Sequence, residues 1–367
     1  MLYGEAGYIM KKKVIILFGG QSGEHEVSLN SANSVLHAID RNKYQIETVG
    51  ISKKGKWYWG IKPEDWLQDP SAKGIQVTLV HDPSNPRFLA LDGRALSNEG
   101  RFDIIFPVLH GPYGEDGTIQ GLFEIANVAY VGSGVLGSSL GMDKDRMKAV
   151  FAMAGLPQAA YLTILQNEYM TNPNHYLDAV EKELGYPCFI KPANLGSSVG
   201  ISKAKDREEL IKAIELAHLY DPKTVIEENI TGREIEVSVL GNDAAEASFP
   251  GEIVPAKEFY DYEAKYLDAG SLLQIPAELP NEIVSQLKVM AVKAFHAVEA
   301  KGLSRVDFFV TADNQILINE INTLPGFTKI SMYPKLWEYS GIEYSELIDR
   351  LITLGFERYE NKKVTEN

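Results

Sequence analysis

Two stretches near the C-terminus, Arg305-Val-Asp307-Phe-Phe-Val-Thr311 and Ile316-Leu-Ile-Asn-Glu320-Ile-Asn322, alternate like strands, and Asp313-Asn314 between them is a hairpin turn signal. A two-residue loop pairs residue 312 with 315, which sets Asp307 opposite Glu320 and Arg305 opposite Asn322. Strand side chains alternate with period two, so all four share one face. Two opposed carboxylates repel and destabilise a hairpin. A divalent cation removes that penalty, and oxygen-only ligands suit Mg²⁺ or Mn²⁺. Mg²⁺ held by few protein oxygens completes its shell with phosphate and water, so the hairpin reads as a nucleotide–metal site. The competing reading is a solvated hairpin in which Arg305 neutralises one of the acids.

Working outward, 367 residues exceed one ordinary core and predict two or three domains. Hydrophobic content of 45% and charged content of 23% are those of a soluble globular enzyme. A formal net charge of −14 argues against nucleic-acid and anionic-membrane partners. No apolar run reaches the roughly 20 residues of a membrane span. The first residues carry their charge, Lys11-Lys-Lys13, after a short apolar stretch, the wrong order for a signal peptide. They read as an extension before a first strand, with Met10 an alternative start. The single cysteine, Cys188, excludes an intrachain disulfide and fits a reducing, cytoplasmic compartment. It lies in an apolar strand pattern and is expected in the core.

Lys13–Phe18 reads as a buried strand ending at Gly19-Gly20, followed by a helix over about Glu24–Ile39 and strands at Tyr44–Ile51 and Phe102–Leu109. This order predicts a parallel sheet covered by helices, with ligands at the carboxyl ends of its strands, where Glu24 and His110 fall. Further on, helices are expected at Met142–Ala154, Tyr176–Leu184, Arg207–Leu219 and Tyr344–Arg358, and strands at Pro187–Pro192 and Thr224–Glu228. Thr163–Asn174 reads as a connector, and Pro255–Pro276 as a long functional loop.

Gly19-Gly20-Gln-Ser-Gly23-Glu24 is a glycine turn into a helix N-terminus, which favours anions. It is not G-x-G-x-x-G, and the second strand lacks a ribose-binding acid, so a nicotinamide oxidoreductase is disfavoured. Glu24 could equally be a helix-dipole partner, and His110 could equally be structural. Lys191, on a strand running into Gly196-Ser197-Ser198-Val-Gly200, resembles a hairpin folded over phosphates. The pattern also fits an ordinary hairpin. Glu227, Glu228 and Glu234 follow a strand end and could accept from an adenine amine and ribose hydroxyls, or simply be surface charge.

In this order the motifs resemble the D-alanine–D-alanine ligases of the ATP-grasp superfamily, from about Lys12 to Arg358. They are Gly19-Gly-Gln-Ser-Gly-Glu-His-Glu-Val-Ser28, His110-Gly…Gly-Glu-Asp-Gly117, Met142-Asp-Lys144, Lys191-Pro…Gly200, Phe259–Tyr266, Arg305-Val-Asp307 and Asn319–Gly326. Pro112-Tyr113 and the segment before Met10 are the less typical parts. The resemblance implies an α/β chain, α+β toward its C-terminus. An N-terminal parallel-sheet domain (1–132) would be followed by central (133–227) and C-terminal (228–367) ATP-grasp subdomains, with a lid loop at 255–276. It implies ligation of two D-alanines with ATP and two Mg²⁺ (or Mn²⁺), and a homodimer. Lys144, Lys191, Ser198 and Lys265 would serve the ATP phosphates. Glu227, Ile230 and Glu234 would hold adenine and ribose, and Asp307, Glu320 and Asn322 the metals. Glu24 would take the first D-alanine's ammonium, with His110 beside its carboxylate, and Ser331 the second's carboxylate. Arg305 and the Gly326 N–H would stabilise the tetrahedral intermediate, and Tyr266, Ser197 and Glu24 would form a closing network. A non-catalytic nucleotide-binding regulator is disfavoured by the full set Arg305, Asp307, Glu320 and Asn322. The nearest rivals use D-lactate or D-serine as acceptor.

Overall fold

The computed structural model describes residues 11–67, 73–196, 199–254 and 272–365. Three sheets succeed one another along the chain. The first contains β1 (Lys12–Gly19), β2 (Tyr44–Ile51), β3 (Trp57–Trp59), β4 (Ile75–Leu79), β5 (Phe88–Ala90) and β6 (Ile104–Leu109), in the order β5-β4-β3-β2-β1-β6. Only β2-β1-β6 are parallel; β3, β4 and β5 continue the sheet antiparallel from β2. The expected parallel sheet is thus present as β2-β1-β6 and is extended on one side by antiparallel strands. The connections β2–β3 (residues 52–56) and β4–β5 (residues 80–87) are too short for the crossover helix that parallel neighbours require. The central run Val14–Phe18 is at most 1% exposed, as expected of a strand covered on both faces.

The second sheet comprises β7 (Tyr161–Leu165), β8 (Cys188–Pro192), β9 (Ser202–Ala204) and β10 (Lys223–Glu228), in the order β7-β10-β8-β9. Thr163–Asn174 is therefore not a connector. Its first residues complete the edge strand β7, and helices Gln166–Thr171 and Pro173–Glu183 follow. Thr163, Ile164 and Leu165 pair with Val225, Thr224 and Lys223 of β10. The helix expected around Met142–Ala154 runs over Lys144–Met153, and a further helix, Val135–Met142, precedes it and ends at Asp143. The Asp143 carboxylate accepts from the Arg146 N–H at 3.1 Å and caps the helix Lys144–Met153. Cys188 is buried, as expected.

The third sheet carries β11 (Arg233–Gly241), β12 (Glu246–Ala247), β13 (Gly251–Val254), β14 (Leu272–Gln274), β15 (Gly302–Val310) and β16 (Ile316–Asn322). Its order is β14-β13-β11-β15-β16, with β12 on β11. β14 lies inside the predicted 255–276 loop, so that loop is shorter than expected at its C-terminal end; 255–271 lie outside the described residues. One core joins the first sheet to Leu303, Phe327, Tyr333 and Trp337 of the C-terminal part. Each such fully buried side chain contributes about 1.5–3 kcal/mol, which holds the ends of β1 and β6 against the β15–β16 side of the molecule.

Candidate active site

β15 and β16 form the hairpin that the sequence suggests, but by a different route. The loop is three residues long, not two: Thr311 N–H donates to the Gln315 carbonyl at 3.0 Å, and Asn314 takes a left-handed φ of 63°, the usual pattern of a three-residue hairpin. That shifts the pairing by one, to Val310 opposite Ile316 and Phe308 opposite Ile318. A bulge at Asn319 then restores it, so Asp307 does face Glu320 and Arg305 faces Asn322. The two departures cancel. The bulge also turns Asn319 toward the same side as Glu320, and bulges commonly re-aim a side chain in this way.

Arg305 forks onto Asp307 through Nε and Nη2, both at 2.7 Å. Its Nε also lies 3.2 Å from Glu236 Oε2, opposite Asp307 on β11. Burial opposes the guanidinium charge, but Asp307 and Glu236 outweigh it and keep the group firmly protonated. Neutralisation of one acid by Arg305, the competing reading of the sequence, is thus present. It leaves carboxylates in excess, because Glu236, Asp307 and Glu320 all act on one guanidinium. Among the described residues no three His, Cys, Asp or Glu side chains converge as a preformed metal cluster. The donor chemistry nevertheless fits a hard divalent ion: two opposed carboxylates and the Asn322 amide oxygen on one face, in surplus negative charge.

The residues expected to face the nucleotide show the opposite balance. Lys191 Nζ lies 3.0 Å from Glu227 Oε2 and 3.5 Å from Asn319 Oδ1. Lys148 Nζ lies 3.4 Å from Glu227 Oε1. Burial alone would raise the Glu227 carboxyl, but the two lysines hold it below the usual range. Lys144 heads the helix Lys144–Met153 and donates from Nζ to the Leu195 carbonyl at 2.5 Å, at the root of the glycine-rich loop. Ile230 follows β10 and Glu234 lies near the start of β11, so the predicted purine and ribose residues flank the joint between the second and third sheets.

At the ends of β1 and β6, Glu24 stands at the N-cap of helix His25–Ala38, which starts one residue after the expected Glu24. His110 is buried, and its Nδ1–H donates to the Leu324 carbonyl at 3.1 Å while Nε2 meets the Ser31 hydroxyl at 3.3 Å. Burial lowers its pKa, so it serves as a neutral strut between the N-terminal sheet and the segment after β16. Gly111 (φ +75°) is required here, since a Cβ would lie 2.7 Å from Glu24 Oε2. The Gly111 N–H donates to Glu115 Oε1 at 2.8 Å. Burial and then Glu24 push the Glu115 carboxyl well above its usual range. Ser331 Oγ is 2.7 Å from Thr328 Oγ1 and close to Gly326, so these two predicted residues are brought together.

Ser197, Ser198, Lys265 and Tyr266 lie outside the described residues. Sequence reasoning missed Glu236, Lys148, Glu115 and Asn319. Two carried a usable signal: Glu236 shares the Glu234 face of its strand, and Lys148 follows Lys144 by one helical turn. The partners of Glu115 and the bulge at Asn319 had no such signal.

Comparison with known proteins bears directly on this arrangement. Residues 13–133 match the family model described as D-ala D-ala ligase N-terminus, and residues 150–353 the model described as D-ala D-ala ligase C-terminus. The D-alanine–D-alanine ligase of Heliobacterium modesticaldum is 52% identical, over 97% of this chain and 97% of its own length. That of Bacillus licheniformis is 50% identical, over 96% and 98% respectively. Among solved structures, the D-alanine–D-alanine ligase of Coxiella burnetii superposes with a TM-score of 0.84 at 36% identity, covering 97% of each chain. The VanG D-Ala:D-Ser ligase of Enterococcus faecalis superposes equally well, with a TM-score of 0.84 at 38% identity over 94% of this chain and 100% of that one. With both halves matched and full-length relatives at half identity, the chain belongs to the D-alanine–D-alanine ligase family.

Proposed function

We propose that the chain joins two D-alanines into D-alanyl-D-alanine for peptidoglycan precursors, converting ATP to ADP and phosphate. The observation that carries this reading is the pairing of a cation-rich cluster (Lys144, Lys148, Lys191) with a carboxylate-rich sheet face (Glu236 on β11, Asp307 and Glu320 on the hairpin), joined through Lys191 and Asn319. A nucleoside triphosphate and its divalent ion match that polarity. Glu227, Ile230 and Glu234 take adenine and ribose; Lys144 and Lys191, with Ser198 and Lys265, take the phosphates. Asp307, Glu320 and Asn322 hold Mg²⁺ or Mn²⁺, which when bound offsets charge on the phosphates.

In the proposed sequence, the carboxylate of the first D-alanine attacks the terminal phosphorus, and ADP leaves. The amine of the second then attacks the acyl carbon, and phosphate leaves. Glu24 binds the first ammonium. Ser331 binds the second carboxylate, and Arg305 with the Gly326 N–H holds the developing oxyanion. Tyr266 and Ser197 close the site and exclude water from the acyl phosphate. The subdomains 1–132, 133–227 and 228–367 correspond to the three sheets, except that Glu228, the last residue of β10, belongs to the second sheet. A homodimer in the cytoplasm completes the proposal. No described helix is long and apolar enough to cross a membrane.

The deciding experiment supplies ATP, Mg²⁺ and D-alanine with D-serine or D-lactate in competition, and resolves products by mass alongside phosphate release. D-Ala-D-Ala as the main product is expected. Mostly D-Ala-D-Ser or ester would overturn the acceptor assignment, and no phosphate release would overturn the ligase.

A further inference from the structure

We propose that Lys148 is the standing counter-ion of Glu227 and so sets purine selectivity: it holds one carboxylate oxygen, leaving the other to accept from a 6-amino group once Lys191 has moved to the phosphates. The inference rests on the reading of Glu227 as the purine contact. Each oxygen of Glu227 carries one lysine, Lys148 on Oε1 at 3.4 Å and Lys191 on Oε2 at 3.0 Å. The two lysines differ in what else they can reach. Lys191 also touches Asn319 on the metal hairpin, so it stands between the base end and the phosphate end. The Lys148 side chain is 1% exposed, its Nζ makes no closer polar contact among the described residues than the ion pair with Glu227, and the Tyr161 ring lies 5.4 Å away. On binding of a triphosphate only Lys191 has a second anion to go to.

A buried ammonium without full hydrogen bonding is costly, and an apolar residue of similar volume is usually no worse for stability. Its presence one turn after Lys144, whose own Nζ turns to the glycine-rich loop, therefore points to a use beyond packing. The groups acting on Glu227 are Lys148 from the helix Lys144–Met153, Lys191 from β8 and the like charge of Glu320 from β16. With Lys191 drawn away, Lys148 is what offsets Glu320 and burial. An ionised carboxylate only accepts hydrogen bonds. It therefore suits the 6-amino group of adenine and opposes the 6-oxo group of hypoxanthine. Mispairing of buried polar groups is the kind of contrast that gives strong discrimination.

The test is calorimetric titration of the full chain with ADP and with IDP, without turnover. Wild type should prefer ADP. Lys148→Met should reduce the ADP/IDP affinity ratio by about tenfold. Glu227→Gln should reduce it as well, since an amide also donates. The double variant removes both charges and keeps the comparison available where Lys148→Met folds poorly. Its ratio should equal that of Glu227→Gln alone. A folded Lys148→Met protein with the wild-type ratio, or a double variant with a further loss, would overturn the role of Lys148. An unchanged ratio in Glu227→Gln would instead overturn the purine reading beneath it.

Discussion

The proposed purine end and the hairpin end of the site are built from the same materials in opposite proportions. Around Glu227 two lysines share one carboxylate; around Arg305 three carboxylates share one guanidinium. Both clusters are largely buried, where unbalanced charge is expensive, and neither is neutral. In the proposed function the first takes an anion and the second a cation. Their surpluses meet at Lys191 and Asn319, 3.5 Å apart. A protein of net charge −14 can thus present a local phosphate site, because what a ligand feels at short range is the arrangement of nearby charges.

The contrast breaks most visibly at Glu320. Replacement by Gln keeps the shape and removes one of the surplus charges, so phosphate release at saturating Mg²⁺ should fall by about a thousandfold or more. The fold should persist, and the metal-free melting temperature should hold or rise as repulsion opposite Asp307 is relieved. Near-wild-type turnover would show that the hairpin does not hold the metal. Arg305→Lys comes next. Lysine has no planar fork to span Asp307 and Glu236, so kcat should drop by about a hundredfold with ADP affinity changed far less. Equal losses in both would make Arg305 a ground-state phosphate contact.

At the cation-rich end the expected effects are smaller. Lys191→Met should weaken ADP binding by about tenfold without unfolding the chain, because Lys148 still faces Glu227; calorimetry at fixed Mg²⁺ reads this directly. The smallest effect is expected at Glu115. Its carboxyl is raised in the folded state by burial and Glu24, so the native protein binds more protons than the unfolded chain above the ordinary carboxylate range. Stability then declines as pH rises through that window. Glu115→Gln should flatten the decline and raise the melting temperature at neutral pH by about 2–4 °C. A steeper decline in the variant would mean that Glu115 is stabilising as an anion, paired with Lys144.

The hairpin also shows how far a sequence can be read. Alternation in Arg305–Val310 made the shared face legible, and burial follows it residue by residue along β15. The pairing of Asp307 with Glu320 was reached from a loop that is one residue too short, compensated by a bulge that no residue type announces. Local pattern specifies which face a side chain takes; a bulge is decided by what packs on both sides of the strand. The edge strand β7 was read as a connector for a related reason. Its partner β10 lies about 60 residues downstream, and pairing at that range leaves little trace in local composition.

What the sequence determined by itself was therefore short-range: period-two and helical patterns, glycine turns, and the ordered motifs that carry the family resemblance. These follow from backbone sterics and from burial of one face. What only the tertiary structure decided was charge balance. Lys148 and Glu227, Glu236 and Arg305, and Glu24 and Glu115 come together from separate elements. Whether each group keeps its charge depends on burial and on neighbours within a few ångströms, distances that folding alone sets.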